Sequence, residues 1–490
     1  MLVRVGSPRR HAAEHTDTHP KTVRRMALLI QHGRLITATD DYTADIYCTG
    51  ETISRIEPTI DPRTLPHAPG ELEIVDAAGK YVFPGFVDPH VHIYLPFMGT
   101  YAADDYESAS KAALAGGTTT LIEMICPGPT DEPLEAFELW RSKAQGLAAV
   151  DYTFHMSVVR FEERVREQFR KIVDSGVASF KVFLAYKGAL NLSDEHLFAA
   201  MKLAKELGVI VTAHCENADA IDAMQRALLG EGKTGPEWHG PSRPPVVEAS
   251  GVHHLCAFAE LTGAHVYTVH TSCDQAVREA LAARHRGVNV WIEVVAPHLL
   301  LDETYATRPD FEGAKYVMSP PLRHKANQVV LWNGVKSRAI STIATDHAPF
   351  SFHGQKEMGR DAFTKIPNGI PTIQERVDLV HTCGVCTGRF GLQTMVDACS
   401  TQAARLFGLY PGKGTIRVGS DADLVVYDPA FRGTFSKECS YSKVDYNAYE
   451  GWDRKGRASV VTVRGQVQVR DGEFVGTIGR GQFLEREPTH

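Results

Sequence analysis

Between residues 84 and 410 the sequence alternates short apolar segments with amphipathic ones, and this alternation restricts the possible folds more than any other feature. Between the apolar segments, apolar residues recur at spacings of three and four, as in 194–207 and 275–286, which indicates helices. The predicted strands are residues 85–92, 118–124, 152–159, 179–185, 209–214, 265–270, 288–294 and 340–346. About eight such units predict an α/β fold with a closed (β/α)8 barrel of the TIM type; an open doubly wound sheet is the alternative.

The two ends of the chain share a different pattern, in which short apolar runs alternate with turns. Examples are residues 28–30 and 53–56 near the start, and 423–427 and 459–463 near the end. These runs predict strands, and the simplest arrangement joins both ends in one small β-sandwich domain, with the barrel inserted between them. The predicted divisions are a disordered N-terminal extension at 1–25, the N-terminal portion of the β-sandwich at 26–83, the barrel at 84–410, the C-terminal portion of the β-sandwich with an oligomerisation segment at 411–475, and a C-terminal tail at 476–490.

Composition argues against several kinds of partner. The formal net charge of −7 over 490 residues gives no bulk attraction to nucleic acid or to an anionic membrane. No apolar run approaches the roughly 20 residues of a membrane span, and residues 1–25 lack the apolar centre of a secretory signal. The cysteines are scattered, which suits a reducing compartment. We therefore expect a cytoplasmic protein whose partner is neither nucleic acid nor membrane.

Two histidines one residue apart, His90 and His92, end the first predicted barrel strand. Residues i and i+2 of a strand share a face, so the two imidazoles point the same way, about 6.6 Å apart along the strand. Side chains at that separation can bind one metal ion. In a chain with 22 histidines, however, an isolated pair of this kind is more often structural.

Four further polar residues stand at predicted strand ends, namely Lys181, His214, His270 and Asp346. Active sites of such barrels lie at the carboxyl ends of the strands, so these side chains are expected on the same face as the histidine pair. Taken singly, His214 and His270 can be core histidines with satisfied hydrogen bonds, and Asp346 can be a helix N-cap. Lys181 is harder to explain, because burying an unpaired ammonium is costly and lowers its pKa.

Longer motifs around these residues resemble the dihydropyrimidinase and hydantoinase family, which are cyclic amidohydrolases of the amidohydrolase superfamily. The resemblance extends from about residue 27 to residue 485, which is nearly the whole chain. The matching stretches are Pro84 to His92, Ala115 to Thr120, Ser179 to Gly188, Ala213 to Asn217, Val269 to Cys273, Ser319 to Arg323, Thr345 to Phe350 and Lys365 to Gly369.

The resemblance implies a binuclear site with two divalent metal ions, usually zinc. His90, His92 and Asp346 would hold one ion, and His214 and His270 the other. Lys181 would carry a carboxyl group on its side-chain nitrogen (N6-carboxylysine), formed from CO2 or bicarbonate, and would bridge both ions.

The same resemblance implies a mechanism. A hydroxide that bridges the metals attacks the ring carbonyl, with Asp346 as general acid and base. Tyr186 would stabilise the oxyanion, while Ser319 and Asn368 would bind the cyclic amide substrate through main-chain groups. Hydantoins and 5,6-dihydropyrimidines would then open to N-carbamoyl amino acids. The segment after Tyr427 resembles an oligomer-forming tail and implies a homotetramer; the alternative is a tail folded over its own subunit.

Because of three departures from the family pattern, the resemblance does not determine which ring is the substrate. Tyr94 stands where an acid is usual, residues 122–126 replace a commoner Asp-Phe ending, and Ala348 stands where many members carry cysteine. The alternatives are a cyclic-imide hydrolase and an allantoinase-like or dihydroorotase-like hydrolase, although Tyr94 replaces the arginine that dihydroorotases use for a carboxylate. A non-catalytic scaffold of the same fold is least favoured, since all six ligand positions are filled. The preferred enantiomer, the native metal and the role of residues 1–25 are also open.

Overall fold

A computed structural model describes residues 27–67 and 70–490. The predicted disordered extension at 1–25 lies outside the described residues. The strands are β1 (Ala27–Ile36), β2 (Asp41–Thr49), β3 (Thr52–Glu57), β4 (Leu72–Asp76), β5 (Tyr81–Pro84), β6 (Phe86–Val91), β7 (Pro96–Phe97), β8 (Thr100–Tyr101), β9 (Thr118–Ile125), β10 (Asp151–Ser157), β11 (Ser179–Phe183), β12 (Ile210–His214), β13 (Val266–Thr268), β14 (Val290–Val295), β15 (Thr342–Ala344), β16 (Leu424–Thr434), β17 (Asp453–Val463), β18 (Gln466–Arg470) and β19 (Glu473–Phe474).

Helices separate most of the barrel strands and also follow the last of them. They are α1 (Tyr106–Ala115), α2 (Pro133–Ala144), α3 (Glu163–Asp174), α4 (Asp194–Leu207), α5 (Ala218–Gly230), α6 (Pro245–Thr262), α7 (Asp274–His285), α8 (Ala296–Leu300), α9 (Ala326–Lys336), α10 (Arg376–Val380), α11 (Leu392–Val396) and α12 (Gln402–Leu406). Local sequence sets their ends, as α4 shows. The Ser193 side chain caps its first turn, and Gly208 ends it in a left-handed conformation with φ of 67°. None of the described helices is both long and apolar enough to cross a membrane.

Eight parallel strands form the predicted barrel, which is thereby confirmed. They pair in the order β6, β9, β10, β11, β12, β13, β14 and β15. A parallel bridge between Val91 and His347 brings the two ends of this sheet together, and the His92 amide donates to the His347 carbonyl at 2.8 Å. Helices cover the outside, so strands such as β9 and β11 are buried along their whole length, including the charged residues Glu123 and Lys181.

The two ends of the chain form one β unit, as predicted. β16, β17, β18 and β19 extend the sheet that contains β1, β2, β3 and β5, with β4 paired to β1. The junction is the antiparallel pair of β5 and β16, in which Val82 lies opposite Val426. The residue boundaries given above for the domains stay predictions.

Seven of the eight predicted barrel strands are longer than the observed ones, and the difference is largest for β13 and β15. β13 ends at Thr268 and β15 at Ala344, before His270 and Asp346 respectively. Both residues have positive φ, 39° and 51°, which is incompatible with a continuing strand. The two side chains are therefore presented from turns just beyond the carboxyl ends of the strands.

Candidate metal and active site

The carboxyl face of the barrel contains one small buried cavity that brings together all nine residues predicted for the site. Its lining includes His90, His92, Lys181, Tyr186, His214, His270, Ser319, Asp346 and Asn368. Each of the six predicted metal ligands is buried, with at most 8% of its surface exposed. His90 and Asp346, which are more than 250 positions apart in the chain, meet here because one lies near the carboxyl end of β6 and the other just beyond the carboxyl end of β15, at the same face.

His90, His92 and Asp346 form the tightest cluster of possible ligands. Their ligand atoms lie within 4.8 Å of one another, and Asp346 Oδ1 lies 3.2 Å from His90 Nε2 and 3.3 Å from His92 Nε2. Burial acts to raise the pKa of Asp346, but the neighbouring histidines outweigh it and the pKa falls to about 2. The carboxyl group is therefore an anion, the form that binds cations.

The other three predicted ligands lie beside this cluster. The ring centres of His214 and His270 are 4.5 Å apart, and those of His90 and His270 are 5.3 Å apart. Lys181 is 1% exposed and, within the described part of the chain, forms no salt bridge. Burial lowers its pKa to about 8. Near neutral pH a much larger fraction of this side chain is therefore the neutral, reactive amine than in an ordinary exposed lysine.

Hydrogen bonds from a second layer orient the histidines. His90 Nδ1 lies 2.7 Å from Glu293 Oε1, and Glu293 also accepts from the His270 amide at 2.7 Å. His214 Nε2 lies 2.7 Å from Glu216 Oε2, which also accepts from Arg243. A carboxylate partner fixes which ring nitrogen carries the proton and leaves the other one free to bind a metal.

The donor set fits a cation. Among the described residues, nothing hydrogen-bonds to the buried Nε2 of His90 or to the buried Nδ1 of His270. Buried polar atoms are nearly always paired, so two such nitrogens in one cavity need a partner. Imidazole nitrogens together with a carboxylate are ligands that zinc and related divalent ions prefer.

Three residues of the cavity have strained backbones. Tyr186, His270 and Asp346 have φ of 64°, 39° and 51°, in the left-handed region that residues with side chains seldom adopt. Strain of this kind persists where the surrounding fold enforces it and is concentrated at functional sites. Here it aims three side chains at one cavity.

The predicted substrate residues form a wall of the same cavity. Asn368 Nδ2 donates to Ser319 Oγ at 2.9 Å, and both residues are at least nine-tenths buried. Burial raises the pKa of Tyr186 to about 12, so its hydroxyl remains a hydrogen-bond donor. Towards solvent, a larger cavity of about 680 Å³ shares Tyr186 and Asn368 with the inner one.

The loop that follows the histidine pair forms one side of this outer cavity. Leu95 and Phe97 line both cavities. Tyr94, which departs from the family pattern, packs against Tyr101 at 5.7 Å and against Trp140 at 4.9 Å between ring centres. The tyrosine thus belongs to an aromatic cluster beside the outer cavity. An acidic side chain at this position would not make these ring contacts.

Sequence reasoning missed four residues that support the site: Glu216, Arg243, Glu293 and Lys356. Glu293 lies in a predicted apolar strand, so the unusual burial of a charge that singled out Lys181 also applied to it. Glu216 follows His214 by two residues and lies in the same matched stretch, so its position beside a candidate ligand was a usable signal. For Arg243 and Lys356 the sequence contains no comparable signal, because their partners are distant in the chain.

A parallel barrel with histidines, a lysine and an aspartate near its strand ends is typical of metal-dependent barrel hydrolases. Sequence comparison places the chain in a family of this class. Residues 81–468 match the amidohydrolase family. A D-hydantoinase from Geobacillus stearothermophilus is 45% identical over 94% of this chain and 97% of its own length.

Similar solved structures indicate which branch of the family the chain belongs to. A D-hydantoinase (dihydropyrimidinase) from Thermus sp. is 57% identical, with a TM-score of 0.91 over 94% of this chain and 99% of that one. A dihydropyrimidinase from Brevibacillus agri NCHU1002 is 42% identical, with a TM-score of 0.92 over 95% of this chain and 100% of that one. The chain belongs to the amidohydrolase family, in its dihydropyrimidinase and D-hydantoinase branch.

Proposed function

We propose that this protein is a metal-dependent hydrolase that opens the ring of cyclic amides, with hydantoins and 5,6-dihydropyrimidines as substrates and N-carbamoyl amino acids as products. The observation that carries this proposal is the convergence of six buried ligand-type side chains on one cavity. The high identity to proteins named D-hydantoinase and dihydropyrimidinase over nearly their whole length supports it.

The proposed metal ligands divide into two groups. His90, His92 and Asp346 would hold one ion, and His214 and His270 the other. Lys181, carboxylated by CO2 or bicarbonate, would contribute an oxygen to each. We expect zinc, because imidazole and carboxylate ligands suit it. When bound, two such ions lower the pKa of a water molecule and polarise the substrate carbonyl.

The chain's own residues supply the proton transfers and the substrate contacts. Water adds to the ring carbonyl, so that a C–O bond forms and the C–N bond of the ring breaks. The Asp346 carboxylate accepts the proton of the attacking water and delivers it to the departing ring nitrogen. The Tyr186 hydroxyl donates to the oxygen that becomes negative, in a buried setting where such a hydrogen bond is strong.

Ser319 and Asn368 would orient the ring. Their side chains hydrogen-bond to each other, which holds the two segments together, and main-chain groups of these segments would bind the planar amide. This arrangement suits a ring whose carbonyl and N–H groups lie in one plane. A hydantoin, a dihydropyrimidine and a cyclic imide all contain such an amide group.

A substrate panel tests the proposal. Purified protein, reconstituted with zinc and bicarbonate, is assayed for opening of hydantoin, 5-substituted hydantoins, dihydrouracil, succinimide and phthalimide. We expect opening of at least one hydantoin or dihydropyrimidine, loss of that activity on chelation, and its return on adding metal. Activity only on the imides would favour the cyclic-imide hydrolase. Failure to open any ring, or activity that chelation leaves unchanged, contradicts the proposal.

We further infer that the protein assembles as a homotetramer in the cytoplasm. The resemblance of the segment after Tyr427 to an oligomer-forming tail supports this assembly. Within that segment Tyr441, Tyr446 and Tyr449 pack against their own subunit, so an interface would use its exposed residues. Light scattering at micromolar concentration tests this assembly. A monomer mass at that concentration contradicts it.

A further inference from the structure

Lys356 is a completely buried lysine that the proposed mechanism does not use. It begins a 3-10 turn, Lys356–Gly359, in the long connection that follows β15. Its exposure is 0%, and in residues 27–67 and 70–490 no carboxylate forms an ion pair with it. Burial alone lowers the pKa of its amine well below the usual range.

The amine connects two segments of the site wall. Lys356 Nζ donates to the Val317 carbonyl at 2.9 Å and to the Gly369 carbonyl at 2.7 Å. A neutral amine has two N–H groups, and two carbonyls receive them. The Gly369 amide also donates to the Val317 carbonyl at 2.9 Å. Lys356 therefore completes a direct link between the backbones at 317 and 369.

These two segments carry the predicted substrate residues. Ser319 follows Val317 by two positions, and Asn368 directly precedes Gly369; Ser319, Asn368 and Gly369 all line the inner cavity. A shift in the distance between the segments would therefore change the spacing of main-chain groups that face a bound ring.

The segment at 369 has little room to adjust. Gly369 has φ of 149°, and a Cβ there would lie 2.2 Å from the Ala348 carbonyl oxygen. The segment is thus packed against the loop after Asp346 on one side and tied to Lys356 on the other. Without Lys356, the hydrogen bond from the Gly369 amide to the Val317 carbonyl would remain as the direct link between these two backbones.

The cost of burying Lys356 indicates that it has a role. Removing an amine from water without a counter-ion is unfavourable, and a methionine of similar length would fill the same space without that cost. The pair of hydrogen bonds to Val317 and Gly369 offsets the cost. We propose that Lys356 is a positioning residue that sets the spacing of the Ser319 and Asn368 main chains, and with it the affinity for the cyclic amide; this inference rests on the proposed function.

The test compares Lys356→Met with Lys365→Met. Lys365 lies in the same connection, but it is largely exposed and pairs only with Asp361 in the described residues, so the same substitution there should leave kinetics unchanged. For whichever ring the unmodified enzyme opens, we expect Lys356→Met to raise KM about tenfold while kcat changes less than about threefold, as when ground-state and transition-state binding are lost equally. The content of bound metal, measured by mass spectrometry, should stay at the wild-type level.

The outcomes are distinct. A KM within twofold of wild type overturns the inference, and so does a variant that loses metal and kcat together, because that pattern reports general damage to the site. If Lys356→Met does not accumulate as folded protein, the same constants are measured on Lys356→Gln, which keeps a donor on a shorter side chain. Failure of the proposed function is recognised separately, because the unmodified enzyme would then open no ring.

Discussion

At the scale of single residues, burial determines what the site can do. Lys181 and Asp346 lie in the same cavity, yet burial lowers the pKa of the lysine to about 8, while the histidine neighbours hold that of the aspartate at about 2. The lysine thus has an increased fraction of neutral amine, and the aspartate is an anion. A neutral amine reacts with CO2, and an anionic carboxylate binds a cation, so both shifts favour the proposed roles.

Lys181→Ala tests the bridging role. We expect loss of bound metal and a fall in ring-opening activity of at least about a hundredfold, because both ions lose a shared ligand. Lys171→Ala is the control, since Lys171 is exposed in the last turn of α3. Intact mass of the wild type should show an added carboxyl group. Retention of two metal ions and full activity by Lys181→Ala contradicts the bridging role.

At the scale of elements, the loop after β6 depends on a carboxylate from β9. Glu123 is 1% exposed and accepts hydrogen bonds from the amides of Ile93 and Tyr94, at 3.0 and 2.8 Å, and from the Tyr106 hydroxyl. Burial raises its pKa to about 7. These hydrogen bonds hold the loop immediately after His92. A buried side chain of β9 therefore supports the loop that forms one side of the outer cavity.

Glu123→Ala should release that loop. We expect the free energy of unfolding to fall by about 2–4 kcal/mol, because two buried amides lose their acceptor and a cavity remains. KM for a 5-substituted ring should also rise, since Leu95 and Phe97 lie on the released loop. Glu107→Ala, on the exposed side of α1, serves as control and should leave both quantities unchanged. Unfolding in denaturant and steady-state kinetics measure the two effects; an unchanged KM argues against the loop's role.

At the scale of the whole molecule, a buried ionic cluster joins the barrel to the terminal β unit. Lys413 Nζ lies 2.6 Å from Asp151 at the start of β10 and 2.8 Å from Asp423 just before β16. Arg464, in the turn after β17, also contacts Asp151. All four residues are at least nine-tenths buried, so removal of one charge leaves its partners uncompensated.

Lys413→Met is expected to lower the free energy of unfolding by roughly 3 kcal/mol, in the range found for broken buried ion pairs. Lys336→Met is the control, because Lys336 is exposed at the end of α9. Denaturant unfolding followed by circular dichroism measures the difference. Equal stabilities of the two variants contradict a cohesive role for the cluster.

The stability of the whole molecule should also depend on buried neutral histidines. Burial lowers the pKa of His239 to about 3 and that of His298 to about 4, from a usual value of 6.5. The unfolded chain therefore binds these protons more tightly than the folded one. Their contribution to stability is fully present above pH 6.5 and is lost as the pH falls from 6.5 towards the folded pKa values, by about 1.4 kcal/mol per pH unit for each histidine.

His298→Gln removes one of these two titrating groups. Between pH 6 and pH 4.5 the free energy of unfolding of this variant should fall less steeply than that of the wild type, and the two slopes should differ by about 1.4 kcal/mol per pH unit. His353→Gln, at an exposed position, should follow the wild-type slope. Denaturant unfolding at a series of pH values gives the slopes. Parallel curves for wild type and His298→Gln would show that His298 is not neutral in the folded protein.

Sequence periodicity predicted the fold and placed the six candidate ligands near strand ends, whereas Tyr186, Ser319 and Asn368 were predicted only from the resemblance to the hydantoinase family. Strand and helix patterns depend on neighbours within a few residues, so they can be read locally. The position of a side chain at the carboxyl end of a barrel strand then predicts which face it occupies, and this is why His90, Lys181, His214 and Asp346 were expected together before any contact was known. The strand ends at His270 and Asp346 were misjudged because their positive φ is not marked by a glycine or a turn motif in the sequence.

Only the tertiary structure decided which residues support that site. Glu293 meets His90 across 203 positions of the chain, Arg243 meets Glu216 across 27, and Lys356 reaches back 39 positions to Val317. No local pattern encodes such pairs, because they depend on how strands and connections come together when the barrel closes. The sequence by itself determined the fold class and the set of candidate ligands, whereas burial and long-range hydrogen bonds, which exist only in the closed barrel, decided their protonation, their orientation and the spacing of the cavity wall.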